Sequence, residues 1–114
     1  MDPTSKISFA DFQKVELTIG KILSAEKVPD TDKLLKLSVD FAEASPRQII
    51  SGIALSFPDP QALVGVLCLF VTNLLPRTIR GLESNGMLCA LSTAEGKFSL
   101  LIPQSDIPAG TRAK

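Results

Sequence analysis

The chain has 114 residues, with 12 basic and 12 acidic side chains, no histidine, two cysteines and no tryptophan or tyrosine. That length predicts one domain over residues 1–114 with a core large enough to need no disulfide or metal. A net charge of zero excludes a binder driven by a whole-molecule basic field, so any nucleic-acid contact must come from a local patch.

The first predicted element is a short helix or turn over 9–14. Ser8 is placed to cap it, with Asp11 three positions on. "VELTIGKILSAEKV" follows, where Val15, Leu17, Ile19, Ile22 and Val28 alternate with polar residues in the period-2 pattern of a half-buried strand. Gly20 interrupts that strand and marks a bulge or a close backbone approach. "PDTDK" is a turn. "LLKLSVDF" is a second strand with Leu35, Leu37, Val39 and Phe41 on one face, and "RQIISGI" a third. One helical turn is expected around "PDPQALVG", since proline suits a first helical position.

"VLCLFVTNL" predicts a buried central strand, "PRTIRGLES" a turn and short ribbon, "GMLCALS" a strand, and "AEGKFSLLI" a hairpin arm and strand. The tail "PQSDIPAGTRAK" is expected to be a loop with at most a short strand. Five to seven short strands with turns every 8–12 residues argue an all-β sandwich or barrel. One long first strand with a glycine inside it favours the small closed barrel. The five-stranded Greek-key oligonucleotide/oligosaccharide-binding (OB) fold is the expected architecture, with a short N-terminal helix and a C-terminal extension.

Little here supports catalysis. The commonest general base, histidine, is absent. Cys68 and Cys89 stand apart in apolar segments and predict buried thiols, whereas a zinc cluster wants about four ligands in close pairs. "SGIALS" lacks the lysine of a phosphate loop, and Asp30 and Asp32 fit turn formers better than paired carboxylates. The expectation is a binding module with no cofactor and no metal. The opening "MDPTSKISF" has no apolar core of a secretion signal, and no segment approaches the roughly 20 apolar residues of a membrane span. A soluble, cytoplasmic protein is therefore expected.

Across residues 7–112, "DFQKVELTIGKILSAEKVPDTDKLLKLSVD", "RQIISGIA", "LVG", "NLLPRTIRGLESNGMLCA" and "PAGTR" occur in one order. In these stretches the chain resembles the bacterial tRNA-binding domain. That domain is found at the C-terminus of methionyl-tRNA synthetases, as stand-alone tRNA-binding proteins, and in relatives of endothelial-monocyte-activating polypeptide. The resemblance implies tRNA as partner, bound by shape without anticodon reading, an aminoacyl-tRNA synthetase as host or associate, and a homodimer formed through barrel ends and the C-terminal segment. It also implies a site of Lys33, Arg47, Ser51, Asn73, Arg77, Arg80, Ser84 and Met87. Physical chemistry agrees with those residue types. Arg and Lys neutralise phosphates, Asn and Ser bond sugar or backbone groups, and Met offers an adaptable apolar surface to a base.

The chain also departs from the family pattern. Thr18, Val66 and Thr78 stand where a basic residue is common, and Val28 where histidine is frequent. A competing reading is a chaperone-like, peptide-binding OB-fold homodimer of the secretion type, motivated by the apolar "VGVLCLFVTNLL" and the missing lysines. Arg80, Gly81, Ser84, Gly86 and Met87 keep the "RG..S.GM" pattern and favour tRNA.

Overall fold

A computed structural model describes residues 5–114. Among these residues, helix α1 (Phe9–Phe12) precedes nine strands: β1 (Leu17–Lys27), β2 (Leu35–Asp40), β3 (Arg47–Ser51), β4 (Leu67–Val71), β5 (Arg77–Ile79), β6 (Leu82–Ser84), β7 (Met87–Leu88), β8 (Ala90–Ser92) and β9 (Phe98–Leu100). Two 3₁₀ turns, Ala54–Ser56 and Pro60–Leu63, connect β3 to β4.

The N-terminal turn forms as its residues require. The Asp11 amide donates to Ser8 Oγ at 3.0 Å, satisfying one of the free donors at a helix start. The second 3₁₀ turn has Pro60 at its head, and Asp59 accepts from the Gln61 amide.

Five antiparallel strands run in the order β3-β2-β1-β4-β7 and curl into a nearly closed barrel. Alternation decides which side chains fill it. Leu35, Leu37 and Val39 of β2 are fully enclosed, and with Phe41 they meet Ile22, Ile49, Leu63, Cys68 and Phe70 in one core. Phe41 and Phe70 cross edge to face at 5.2 Å between centroids.

The long first strand serves two neighbours because it bends. Its C-terminal half pairs with β2 and its N-terminal half with β4. The register slips between Ile22 and Ser24, which puts the bulge at Leu23 rather than at Gly20. Gly20 is instead a close approach: a Cβ there would lie 2.5 Å from the Phe41 ring and 2.6 Å from Val39. Beyond the end of β2, the tail takes over the open edge of β1. Ile19 donates to Thr111 O, Gly110 to Ile19 O and Ala113 to Leu17 O, all within 2.9 Å. The C-terminal stretch thus lies on its own barrel, and Leu101 O also accepts from the Leu69 amide.

The predicted strand "GMLCALS" divides into β7 and β8 at Cys89. Its first part pairs with β4 and its second with β9, so one backbone cannot stay in line with both. Burial pushes the Cys68 thiol up to about 12, and the neighbouring Cys89 adds to the rise. Both cysteines are free, Cys68 buried and Cys89 half-buried. Among the described residues no helix is long and apolar enough to cross a membrane.

Candidate nucleic-acid interface

The hairpin β5–β6 carries the basic pair seen in the sequence. Arg77 pairs with Ser84, Thr78 with Glu83 and Ile79 with Leu82, leaving Arg80 and Gly81 as a two-residue loop. Both are left-handed, with φ of 53° and 77°. That is the geometry of a type I′ turn, which favours Asn-Gly and places an arginine here against its preference.

Three bonds dock this hairpin on β3. Ser84 Oγ accepts from the Ile50 amide at 2.9 Å, the Asn85 amide donates to Gln48 O at 2.8 Å, and Gln48 Nε2 donates to Glu83 O at 2.9 Å. Ser84 is buried, and its hydroxyl takes the Ile50 amide on the outer edge of β3, the end strand of the sheet, where no further strand accepts it. The rigid docking fixes the hairpin tip beside the β1–β2 turn. There an open groove of about 460 Å³ is lined by Thr31, Asp32, Lys33, Leu34, Ile79 and Arg80.

Lys33 and Arg80, 47 positions apart in the numbering, therefore share one groove. The ion pairs among the described residues join Lys14 to Asp11, Lys36 to Glu26, Arg47 to Glu43 and Arg112 to Glu16. Lys33, Arg77 and Arg80 belong to none of them. Their charges are free to meet an anion, with Asp32 the one carboxylate lining the groove.

The other sequence-predicted residues fall elsewhere. Arg47 is 18 % exposed and internally engaged. Its Nε and Nη2 grip the two Glu43 oxygens at 2.8 and 2.7 Å, and Nη1 donates to Thr72 O at 2.6 Å. Its guanidinium lies 5.3 Å from the Phe41 ring centroid. The hydrogen bonds from Arg47 hold the Glu43 carboxyl below its usual range, and the same clasp raises Arg47. Three of its five N–H donors are used in this way.

Asn73 is also a clamp. Its Oδ1 accepts from the Glu16 amide at 2.8 Å and its Nδ2 donates to Lys14 O, tying the entry to β1 to the end of β4. Ser51 is half-buried at the end of β3, paired with Leu35 next to the Lys33 turn. Met87 is 45 % exposed on edge strand β7, beside Val71. The structure thus brings Lys33 and Arg80 together with Arg77 on the same hairpin. Arg47, Asn73 and Ser84 brace the frame.

Sequence reasoning missed Glu43 and Glu16. Glu43 stands four residues before Arg47 across a tight turn, a spacing that could have signalled the clasp. Glu16 accepts from Thr72 Oγ1 at 2.7 Å and pairs with Arg112 at 3.0 Å. Thr72 in turn meets Thr18 at 2.7 Å between hydroxyls. Thr18 is buried, so the position that departs from a basic pattern holds an internal hydrogen bond here. Val28 is buried as well, and Val66 packs against the core.

Residues 17–112 match the family model tRNA_bind, described as "Putative tRNA binding domain". The chain belongs to this tRNA-binding domain family. It is 49% identical over 111 residues to a methionine–tRNA ligase of Methanospirillum hungatei, covering 97% of this chain and 16% of the ligase. A methionine–tRNA ligase of Enterococcus faecalis is 40% identical over 105 residues, again with 16% of its length covered. The tRNA-binding domain therefore spans about one sixth of these relatives, and it is a binding module, not itself a catalytic unit.

Solved structures share the fold. A methionyl-tRNA-synthetase-related protein from Pyrococcus horikoshii superposes with a TM-score of 0.88 at 37% identity, covering 96% of this chain and 99% of that one. The chaperone CsaA from Bacillus anthracis superposes with a TM-score of 0.84 at 27% identity, covering 96% of this chain and all of that one.

Proposed function

We propose that this tRNA-binding domain recognises tRNA by the shape of its backbone, without reading the anticodon. It does so through Lys33, Arg77 and Arg80, with Ser51 and Met87 at the margin. The observation carrying this reading is the groove shared by Lys33 and Arg80, two cations without an ion pair on rigidly docked elements. Arg47, Asn73 and Ser84 act by holding the hairpin and the strand ends in place. The domain works in the cytoplasm as residues 1–114 of an auxiliary module, either alone or attached to a methionyl-tRNA synthetase.

A homodimer is part of this proposal. Leu91 and Ile102 stay exposed after the C-terminal stretch has packed on its own barrel, and Phe9, Phe12 and Val15 are exposed around α1. These apolar side chains support burial against a second copy. Sedimentation at twice 12.2 kDa is expected, and a persistent monomer at high concentration would refute it.

The test of RNA binding is titration of unfractionated tRNA at low and physiological salt, with a duplex DNA of equal length as control. Each phosphate neutralised by Lys or Arg adds about 0.7–0.9 to the slope of log affinity against log salt. A salt-sensitive preference for tRNA, lost on replacing Arg77 and Arg80 by alanine, is expected. Equal binding to both nucleic acids, or none, would refute it.

A further inference from the structure

The groove between the hairpin and the β1–β2 turn does not end at Lys33. A second depression, of about 340 Å³, is lined by Lys27, Leu55 and Pro58 together with Thr31, Asp32 and Leu34. Thr31, Asp32 and Leu34 also line the first groove, so the two flank one ridge and share its wall. Lys27, at the end of β1, joins none of the ion pairs among the described residues. Leu55 stands on the 3₁₀ turn after β3 and is 71% exposed.

That turn is not loosely hung. The Ala54 amide donates to Lys33 O at 2.9 Å, and Ala54 is buried in the core cluster. Leu55 is thus presented outward from a turn fixed to the same ridge that carries Lys33. A free cation next to a fixed, outward apolar side chain is the pairing a single-stranded nucleotide uses: a phosphate on the charge and a base on the apolar surface.

We propose that Lys27 and Leu55 form a second nucleotide subsite. One RNA strand crosses the ridge from Arg80 and Lys33 to Lys27 and lays an unpaired base on Leu55 and Pro58. This rests on the tRNA-binding reading above and extends it to residues outside the basic hairpin. Asp32 lines both depressions, and its carboxylate opposes the backbone that passes over it. Lys27 provides attraction on one side of the ridge and Lys33 and Arg80 on the other.

The absence of tryptophan and tyrosine makes the subsite directly testable. Leu55→Trp introduces a single indole at an exposed position, where it has no packing to disturb. Adding tRNA to this variant is expected to quench its emission and to tighten binding about two- to fivefold, because bases stack better on an aromatic ring than on leucine. Val64→Trp, at the exposed end of the second 3₁₀ turn and outside both depressions, is the control and should stay silent.

In the same titrations Lys27→Gln should weaken tRNA about threefold at low salt and lower the salt slope by about 0.7–0.9. Asp32→Asn should tighten it. The subsite is overturned if the Leu55→Trp emission and affinity match the control and Lys27→Gln leaves the slope unchanged, while Arg80→Ala still weakens binding. Should wild-type protein fail to bind tRNA at all, the functional reading itself falls, a result separable from the first.

Discussion

Arg80 is where stability and binding pull in opposite directions. It occupies the first loop position of the β5–β6 turn at φ 53°, a conformation that costs an ordinary L-residue about 1–2 kcal/mol and asparagine much less. Its guanidinium joins no ion pair among the described residues, so replacing it sacrifices no internal partner. Arg80→Asn should therefore stabilise the protein by about 0.5–1 kcal/mol. For a chain of this size the unfolding entropy is about 0.24 kcal/mol per degree, so Tm should rise about 2–4 °C. The same variant should bind tRNA more weakly and lose about 0.7–0.9 from its salt slope. Thermal melts and salt-dependent titrations on one preparation measure both. Arg80→Lys separates the causes, because it keeps both the charge and the backbone cost. It should leave Tm unchanged and retain most of the affinity. An Arg80→Asn protein that melts earlier, or that binds with the wild-type slope, would refute the reasoning.

Other perturbations probe the frame. Ser84→Ala leaves the Ile50 amide without its acceptor under the hairpin and should cost about 1–3 kcal/mol by denaturant unfolding. An unchanged midpoint would mean the bond contributes nothing. Gly20→Ala forces a methyl into the Phe41 ring and Val39 and should destabilise by about 1–3 kcal/mol, read from the same transition. Glu43 titrates below its usual 4.5 because Arg47 bonds it, so the clasp stabilises fully above that value and is lost as pH falls through the lowered one. Wild-type Tm should accordingly drop more steeply below about pH 4.5 than that of Glu43→Gln. With Glu43 partly exposed the difference should be under about 1 kcal/mol.

Much of the barrel was legible because burial leaves a period-2 trace. Alternation alone places Leu35, Leu37, Val39 and Phe41 on one face, and all four are in the core. The Ser8 cap was legible for a local reason, since donor and acceptor lie three residues apart. The location of the strand bend was not. Whether a mid-strand glycine is a bulge or a close approach depends on what the far wall of the barrel places over it, here Phe41 and Val39.

The candidate site divides along the same line. The motif named eight residues but carried no information on which way each side chain turns. Arg47 faces Glu43 and Thr72, Asn73 faces the backbone of residues 14 and 16, and Ser84 faces Ile50. These partners are distant in sequence or lie across a turn. Lys33 and Arg80 could be drawn from the sequence as basic, but their sharing of one groove is a product of how the hairpin docks.

The tail bonded along β1 has a kinetic consequence. Residues 110–113 supply the edge partner for residues 17–19, so the first strand meets residues more than 90 positions further along. Asn73 likewise reaches back 57 positions to Glu16. Contacts of such sequence separation require large loops to close before they contribute, which slows folding in proportion to their share. During synthesis, the N-terminal half of β1 has nothing to occupy that edge until residues 110–113 have been made. Mutations in "PAGTR" should then act chiefly on how fast the barrel is completed and how long an unpaired edge is open to aggregation.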